Sequence, residues 1–215
     1  MNTNLSNSFT LFIKPDESLR TWAWEKAQQG NYSEAIALLD WLIDRCPHSA
    51  IDYNNRGLLY FQNGQIKLAL ADYNLALKLN PQLASAYNNR ANCYAASGWL
   101  VAALADYDRA IDLNPGHVRA RINQGITLRE LGMYKQAIEN FDTALLLGQL
   151  EGHIYAERGR TYHLWGDWNY CLIDYRRALT QLPQESTWKS SPAICLRLQV
   201  EAWIDQLRSL FSKGR

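Results

Sequence analysis

Three arginines recur along the chain, and each is followed by an aspartate at the same fixed separation. The pairs are Arg56 with Asp72, Arg90 with Asp106, and Arg158 with Asp174. A regular row of guanidinium groups could bind phosphates or nucleic acid, since an arginine fork matches phosphate oxygens. At the slot where the arginine is missing, however, Gln124 stands with Asn140 at the same separation, so both members change together. We therefore predict ion pairs between two antiparallel helices within one unit of the chain, each stabilising by on the order of 1 kcal/mol, with one neutral amide pair.

Asparagines share the interval of the arginines and could bind a peptide. Asn55, Asn89 and Asn123 follow one another at a single constant interval. Further asparagines lie beside them: Asn54, Asn88 and Asn92. An amide both donates and accepts, so a repeated amide could pair with an extended peptide backbone whatever its side chains are. The alternative is that Asn-Asn-Arg is a common solution for a soluble helix, but asparagine costs several tenths of a kcal/mol against alanine in an exposed helix.

Catalytic and metal-binding patterns are missing from the sequence. It contains no phosphate-binding loop, dinucleotide-binding glycine motif, HExxH pair or nucleophile elbow. His153 and His163 lie almost three turns apart on one predicted helix, which separates them by roughly 15 Å and prevents them from chelating one metal ion. We expect no enzyme activity, no catalytic residues, no metal and no cofactor.

Composition restricts the class of partner. The 215 residues are 47% hydrophobic and 20% charged, with a formal net charge of +1. This charge gives no electrostatic reason to expect nucleic acid or an anionic membrane, and no apolar run is long enough for membrane insertion. Residues 1–14 lack the features of a signal peptide, and the four cysteines form no CxxC pair. We expect a cytoplasmic protein with reduced thiols.

The elements that must position these residues form an internal repeat. Five glycines recur at one constant interval: Gly30, Gly64, Gly98, Gly132 and Gly166. Four prolines keep the same interval, with Gln149 in the missing slot: Pro47, Pro81, Pro115 and Pro183. The predicted repeats are 16–49, 50–83, 84–117, 118–151 and 152–185. Such a period indicates a repeat protein in which each unit is one structural motif.

Each repeat predicts a helical hairpin. In the first half, apolar or small residues recur at the spacing of one helical face, as in Tyr53, Gly57 and Tyr60. A small residue in each half allows close approach of the two helices, for example Gly57 and Ala69. The mid-repeat glycine is expected to end the first helix in a left-handed conformation, and proline stops the second helix.

This 34-residue unit resembles the tetratricopeptide repeat, with small residues at its eighth and twentieth positions and proline at its thirty-second. The segment AYNNRANCYAASGWLVAALADYDRAIDLNP is close to the family consensus. Repeat one diverges most, and repeat four carries Arg121 where an aromatic residue is usual. The resemblance implies an all-α fold, a right-handed superhelical solenoid of five repeats.

The resemblance also implies that the first helices line a concave groove for protein or peptide ligands. The six asparagines named above would lie there, with the apolar Phe61 towards the N-terminal half. Arg119, Arg129 and Arg160 would lie towards the C-terminal half, where they suit an acidic ligand end, although a merely solvated basic face is an equal alternative. The residues needed for the family's carboxylate clamp are incomplete in either frame, so we expect no binding of chaperone C-termini.

The flanks of the repeats complete the predicted architecture. Residues 193–212 carry apolar residues at helical spacing and predict a C-terminal capping helix. They are Leu196, Val200, Trp203, Leu207 and Leu210. Residues 186–215 are thus a connection, which includes Trp188, followed by this helix. Residues 1–15 are expected to be mobile, with an apolar patch at residues 9–13 that covers the first repeat or occupies a groove.

The sequence therefore predicts a protein-interaction scaffold, an adaptor or assembly factor that binds an extended peptide or partner protein in its groove. The alternative is a structural protein whose main interaction is self-association into a homo-oligomer. Nucleic-acid binding is a third class, and the near-neutral charge and the predicted ion pairs argue against it.

Overall fold

The computed structural model describes residues 15–184 and 191–212, and its secondary structure there is helical throughout. These two ranges contain eleven helices. In chain order they are α1 (Asp16–Gln28), α2 (Tyr32–Arg45), α3 (Ala50–Gln62), α4 (Ile66–Leu79), α5 (Ala84–Ala96), α6 (Leu100–Leu113), α7 (Val118–Glu130), α8 (Tyr134–Leu145), α9 (Glu151–Trp165), α10 (Trp168–Gln181) and α11 (Pro192–Ser212).

The chain divides into two compact units, Met1–Leu113 and Asn114–Arg215. Unit 1 contains three helical hairpins, α1–α2, α3–α4 and α5–α6, and the second helix of one hairpin contacts the first helix of the next. Unit 2 contains the hairpins α7–α8 and α9–α10, followed by α11, which contacts both α9 and α10. The all-α prediction is confirmed. The limits of the predicted repeats remain a prediction.

Glycine allows the tight turn within each hairpin. Between α3 and α4, Gly64 has φ +75°, a left-handed backbone that costs glycine little. The N–H of Gln65 then donates to the carbonyl oxygen of Tyr60 at 2.8 Å, which caps the C-terminal end of α3. The other four predicted turn glycines also have positive φ.

The small residue in the first helix allows the two helices of a hairpin to approach closely. A Cβ atom added to Gly57 would lie 2.8 Å from Cε1 of Tyr73, and Tyr73 is fully buried. At the equivalent positions of repeat three, Ala91 and Tyr107 are both buried. The predicted close approach is confirmed for α3 and α4.

Apolar side chains fill the interior of each unit. In unit 1, one buried cluster joins α1, α2 and α3, with Leu19, Leu39 and Leu59 at 0–2% exposure. In unit 2, Phe141 and Ile154 are fully buried in a cluster of α7, α8 and α9. Burial of such side chains is the main source of stability, at about 1.5–3 kcal/mol for each large residue.

The predicted capping helix is present as α11. Its Val200 and Leu207 are buried against α9 and α10. Trp203 stacks on Tyr175 with ring centroids 5.6 Å apart. Nη1 of Arg197 donates to the carbonyl oxygens of Leu179 at 2.7 Å and Leu182 at 3.0 Å. The helix thus covers apolar surface and satisfies carbonyl groups at the end of α10.

Some sequence predictions lie outside the described residues. These are the apolar patch at residues 9–13, Trp188, and the side chain of Leu210. Among the helices within 15–184 and 191–212, none combines the length and apolar character needed to cross a bilayer.

Candidate functional site

The predicted ion pairs are formed within both hairpins of unit 1 that carry them. Nε and Nη2 of Arg56 donate to the carboxylate of Asp72 at 2.8 and 2.7 Å. Arg90 donates to Asp106 in the same way, at 2.7 and 2.8 Å. The hydrogen bonds to Asp72, opposed by burial, raise the pKa of Arg56 above its ordinary value. The prediction of structural pairs is confirmed.

The same arginines also bond to the preceding hairpin, which the sequence analysis missed. Nη1 of Arg56 donates to Oδ1 of Asp40 at 2.7 Å, and Nη1 of Arg90 donates to Oδ1 of Asn74 at 2.8 Å. Asp40 and Asn74 occupy equivalent positions in successive repeats, so the repeat contained the signal. Each guanidinium therefore joins three helices.

Unit 2 shows the same arrangement. Arg158 donates to Asp174 at 2.7 and 2.8 Å and also to Asp142 of the preceding hairpin. The predicted neutral pair is present, because Nδ2 of Asn140 donates to Oε1 of Gln124. The carboxylate-bound arginines are therefore structural, and each has a carboxylate partner that offsets its charge.

Four of the predicted groove asparagines form a chain of hydrogen bonds on α3 and α5. Nδ2 of Asn88 donates to Oδ1 of Asn89 at 3.2 Å, and Nδ2 of Asn89 donates to Oδ1 of Asn54 at 3.0 Å. Nδ2 of Asn54 then donates to Oδ1 of Asn55 at 3.4 Å. The amides thus bond to one another between repeats, and we call this set the amide chain.

The two ends of the amide chain differ in access. At one end, Oδ1 of Asn88 is buried and has no hydrogen-bond partner within the described residues. At the other end, Asn55 is partly exposed and lines a cleft, and its Oδ1 accepts from Asn54 while its NH₂ group donates to no other member of the amide chain. The NH₂ group of Asn55 can therefore donate to a ligand, and so can the partly exposed Asn89, which uses only one of its two N–H groups for Asn54.

Two further predicted groove residues have internal contacts. Oδ1 of Asn92 accepts a hydrogen bond of 2.7 Å from the hydroxyl of Tyr107 on α6. Phe61 is partly buried against a cluster that contains Tyr73 and Cys93. Both residues support the packing of unit 1, and their role towards a ligand remains a prediction.

A cleft of about 360 Å³ lies beside Asn55 in unit 1. It is lined by Arg20, Thr21, Ala23, Trp24, Leu39, Asn55, Leu58 and Leu59. We call it the Trp24 cleft. Ala23, Leu39 and Leu59 are buried beneath it, whereas the Trp24 side chain is 47% exposed. The cleft therefore has a mainly apolar lining with the amide of Asn55 among its few polar groups, the composition typical of ligand sites.

The charged residue in the cleft is neutralised by a partner that the sequence analysis missed. Nε and Nη2 of Arg20 donate to Oδ1 and Oδ2 of Asp52 at 2.6 and 2.8 Å, and the Asp52 side chain is fully buried. Burial acts to raise the pKa of Asp52, but hydrogen bonds from Arg20 and Ser49 prevail and lower it. Because repeat one diverges from the others, the 34-residue period gave no signal for this pair.

In unit 2, Arg129 is bound by its own protein. Its Nη1 donates to Oε2 of Glu157 at 2.7 Å and to the Glu157 carbonyl oxygen at 3.2 Å. Both side chains are nearly buried, at 13% and 12% exposure. A ligand carboxylate would have to compete with Glu157 for this guanidinium.

Arg160 lies between His163 and α11. Its guanidinium is 5.0 Å from the ring centroid of Trp203, and its Nη1 is 3.3 Å from Nδ1 of His163. Burial, together with the charge of Arg160, lowers the pKa of His163. Of the remaining predicted residues, Arg119 is exposed and Asn123 is partly exposed on α7.

The described residues show no group of three or more His, Cys, Asp or Glu side chains arranged to hold a metal ion. The four cysteines are free thiols. Burial raises the pKa of Cys93 to about 12 and that of Cys171 to about 11, which keeps both thiols protonated and unreactive.

Three family profiles match the chain. One is described as TPR repeat and covers residues 57–98. Two are described as tetratricopeptide repeat and cover residues 84–117 and 106–139. None of the curated proteins matches significantly.

Solved structures with similar folds include other repeat proteins. TTC0263, a thermophilic TPR protein of Thermus thermophilus, is 18% identical with a TM-score of 0.73, covering 87% of this chain and 98% of its own. YrrB, a TPR protein with an unusual peptide-binding site, is 18% identical with a TM-score of 0.61, covering 86% and 90%. The first TPR of Spaghetti (RPAP3), bound to the HSP90 peptide SRMEEVD, is 28% identical with a TM-score of 0.51, covering 54% and 93%.

Structure and profile matches agree on the type of repeat. The structure shows repeated hairpins, turn glycines and small residues opposite large aromatic ones, and the profiles match the same type of unit. The chain contains tetratricopeptide repeats, which the family profiles match over residues 57–139, and its all-α solenoid fold is that of solved TPR proteins.

Proposed function

We propose that the protein is an interaction scaffold and that the face formed by α1, α3 and α5 of unit 1 binds an extended peptide of a partner protein. Tetratricopeptide repeats are in general non-enzymatic modules for protein interaction. The observation that carries the proposal is the Trp24 cleft beside Asn55. It combines exposed apolar surface with an amide that can still donate.

The geometry favours a protein ligand over a nucleic acid. The repeated arginines, which could otherwise bind phosphates, are held by carboxylates at 2.7–2.8 Å in unit 1. Nucleic-acid affinity depends strongly on unpaired basic residues that neutralise phosphates. The proposal therefore assigns an adaptor or assembly role towards proteins. The free thiols suit a reducing compartment, and we place this role in the cytoplasm.

The test is a pull-down with the tagged full chain from lysate of the native organism, followed by measurement of affinity for the captured partner. The variant is Asn55→Ala plus Asn89→Ala. The matched control is Asn31→Ala plus Asn63→Ala, two exposed asparagines at helix ends. If each groove amide contributes about 1 kcal/mol to binding, the groove variant should lose about 30-fold in affinity.

The control variant should bind as the wild type does. A partner that binds all three proteins equally would contradict a peptide site on this face. Circular dichroism and thermal melting must show that the groove variant keeps its helix content, because loss of the fold would make the amide chain structural only.

A second candidate function is self-association, and an exposed patch in unit 2 favours it. The patch consists of Leu164, Trp165, Trp168 and Tyr170, with exposures of 47%, 51%, 38% and 57%. We call it the aromatic patch, and it lies at the turn between α9 and α10. Clustered exposed apolar side chains commonly mark interaction surfaces.

Sedimentation velocity over a range of protein concentrations tests this second function. If the aromatic patch mediates self-association, the apparent mass of the wild type rises with protein concentration. The Trp165→Glu variant should keep the mass of the monomer. Leu146→Glu is the control, since Leu146 is 87% exposed in the same unit but outside the patch. A monomer at every concentration would refute self-association.

A further inference from the structure

The Trp24 cleft has features that restrict the chemistry of its ligand. Its volume of about 360 Å³ is near the lower end of the range for ligand pockets, roughly 300–1,000 Å³. Trp24 and Leu58 supply exposed and partly exposed apolar surface, above buried Leu39 and Leu59. Such a cavity suits one large apolar side chain, whose burial removes apolar area from water on both sides.

The charge of the cleft is balanced before any ligand arrives. Arg20 makes two hydrogen bonds to Asp52, which is fully buried and cannot turn away to solvent. The depressed pKa of Asp52 keeps its carboxylate ionised at neutral pH. A ligand carboxylate would therefore meet a guanidinium that is already paired, and it would lose its own hydration without full compensation.

The hydrogen-bonding polarity of the cleft is set by the direction of the amide chain. Oδ1 of Asn55 accepts from Asn54, which leaves the NH₂ group of this cleft-lining residue as the donor available to a ligand. Rotation of the Asn55 amide alone would place its NH₂ group against that of Asn54, because Oδ1 of Asn54 already accepts from Asn89. A ligand must therefore present an acceptor here, and an extended peptide presents backbone carbonyl oxygens.

We infer that the Trp24 cleft binds an uncharged apolar side chain of an extended peptide, while Asn55 donates a hydrogen bond to a backbone carbonyl oxygen of that peptide. This inference rests on the proposed function and specifies its ligand. The Trp24 cleft should therefore bind neutral peptides more tightly than acidic ones. The ligand is an internal, neutral segment of a partner protein.

Peptide display tests this selectivity with a defined probe. A library of random linear peptides on phage is selected against the immobilised full chain. The inference expects selected sequences with an excess of Leu, Ile, Phe or Trp and a deficit of Asp and Glu. One selected peptide is then synthesised with an acetyl and an amide cap, labelled with fluorescein, and its affinity measured by anisotropy.

Variants locate the bound peptide. Asn55→Asp keeps the acceptor for Asn54 but replaces the donor with a carboxylate oxygen, and should weaken binding about 10-fold or more. Trp24→Ala removes an exposed wall of the cleft, so it should retain the fold and weaken binding by a similar factor. Asn63→Asp makes the same chemical change at the exposed end of α3 and should alter affinity less than about twofold.

The outcomes separate the inference from the proposed function. Selected peptides rich in Asp and Glu that lose binding in Asn55→Asp would overturn the inference and keep the peptide site. Peptides whose binding is unchanged in both Asn55→Asp and Trp24→Ala, or a selection that enriches no peptide, would overturn both.

Discussion

The pairing of Arg90 with Asp106 makes a quantitative prediction about stability. Two short hydrogen bonds join the side chains, which are 19% and 10% exposed. Truncating one partner leaves the other charge nearly buried and unpaired, which typically costs about 3–5 kcal/mol. Each single change to alanine should therefore lower the free energy of unfolding by about 3 kcal/mol, allowing for partial exposure.

The double change should cost less than the sum of the single changes. Removing both partners leaves no buried unpaired charge, so we expect a total loss of about 4 kcal/mol against a sum of about 6 kcal/mol, a coupling of about 2 kcal/mol. Arg90 also packs between Tyr87 and Tyr94 and bonds to Asn74. These contacts are lost in both arms of the cycle and therefore cancel from the coupling.

Urea unfolding followed by circular dichroism and by tryptophan fluorescence measures the four proteins of the cycle. Coincident transitions and equal m-values are required, because repeat arrays can lose two-state behaviour. The control cycle uses Lys135 and Glu139, which are 4.0 Å apart and 80% and 63% exposed. Its coupling should stay below about 0.5 kcal/mol. Additivity within about 0.5 kcal/mol for Arg90 and Asp106 would refute the structural role of the pair.

Three further changes in unit 2 test other contacts. Because burial and Arg160 lower the pKa of His163, its stabilising contribution is complete above its ordinary pKa of about 6.5 and is lost as pH falls towards its lower folded value. Thermal melts should therefore lose more stability between pH 8 and 5 in the wild type than in His163→Gln; equal losses would contradict this. Leu150 has φ +55° and is 44% exposed, so Leu150→Gly should raise the free energy of unfolding by about 1 kcal/mol in urea titrations, and a decrease would rule out strain. Gly159→Ala would place Cβ 2.7 Å from Cδ1 of buried Tyr175. Calorimetry should show that the free energy of unfolding falls by about 1 kcal/mol, because overpacking exceeds the gain in helix propensity. A stabilised variant would show that α9 and α10 can move apart to admit the methyl group.

The features that recur with the repeat could be predicted from sequence. The turn glycines, the close approach at Gly57 and the bond from Arg56 to Asp72 depend on positions whose partners are fixed by one hairpin geometry. The co-variation of Gln124 with Asn140 predicted their contact because a charged pair was replaced by a neutral one. A 34-residue period reports on such contacts because the same geometry repeats.

The contacts among the predicted groove asparagines could not be predicted in the same way. The period placed Asn54 and Asn89 on one surface, but it did not indicate that their amides bond to each other. An amide can choose among several partners within reach, and the choice depends on rotamers rather than on spacing. Arg20 and Asp52 were missed because repeat one departs from the pattern of the others.

The arrangement of charges bears on the kind of ligand that the proposed peptide site would bind. The guanidinium groups of Arg56 and Arg90 join three helices each and are nearly surrounded by carboxylates, amides and tyrosine rings. These guanidinium groups join one hairpin to the next. They are largely shielded from water there, and their charge is not available to attract an ionic ligand. Trp24, Leu58 and Asn55 are among the exposed or partly exposed residues of α1 and α3 and line one cleft. Under the proposed function, recognition at this face depends on apolar burial and on backbone hydrogen bonding.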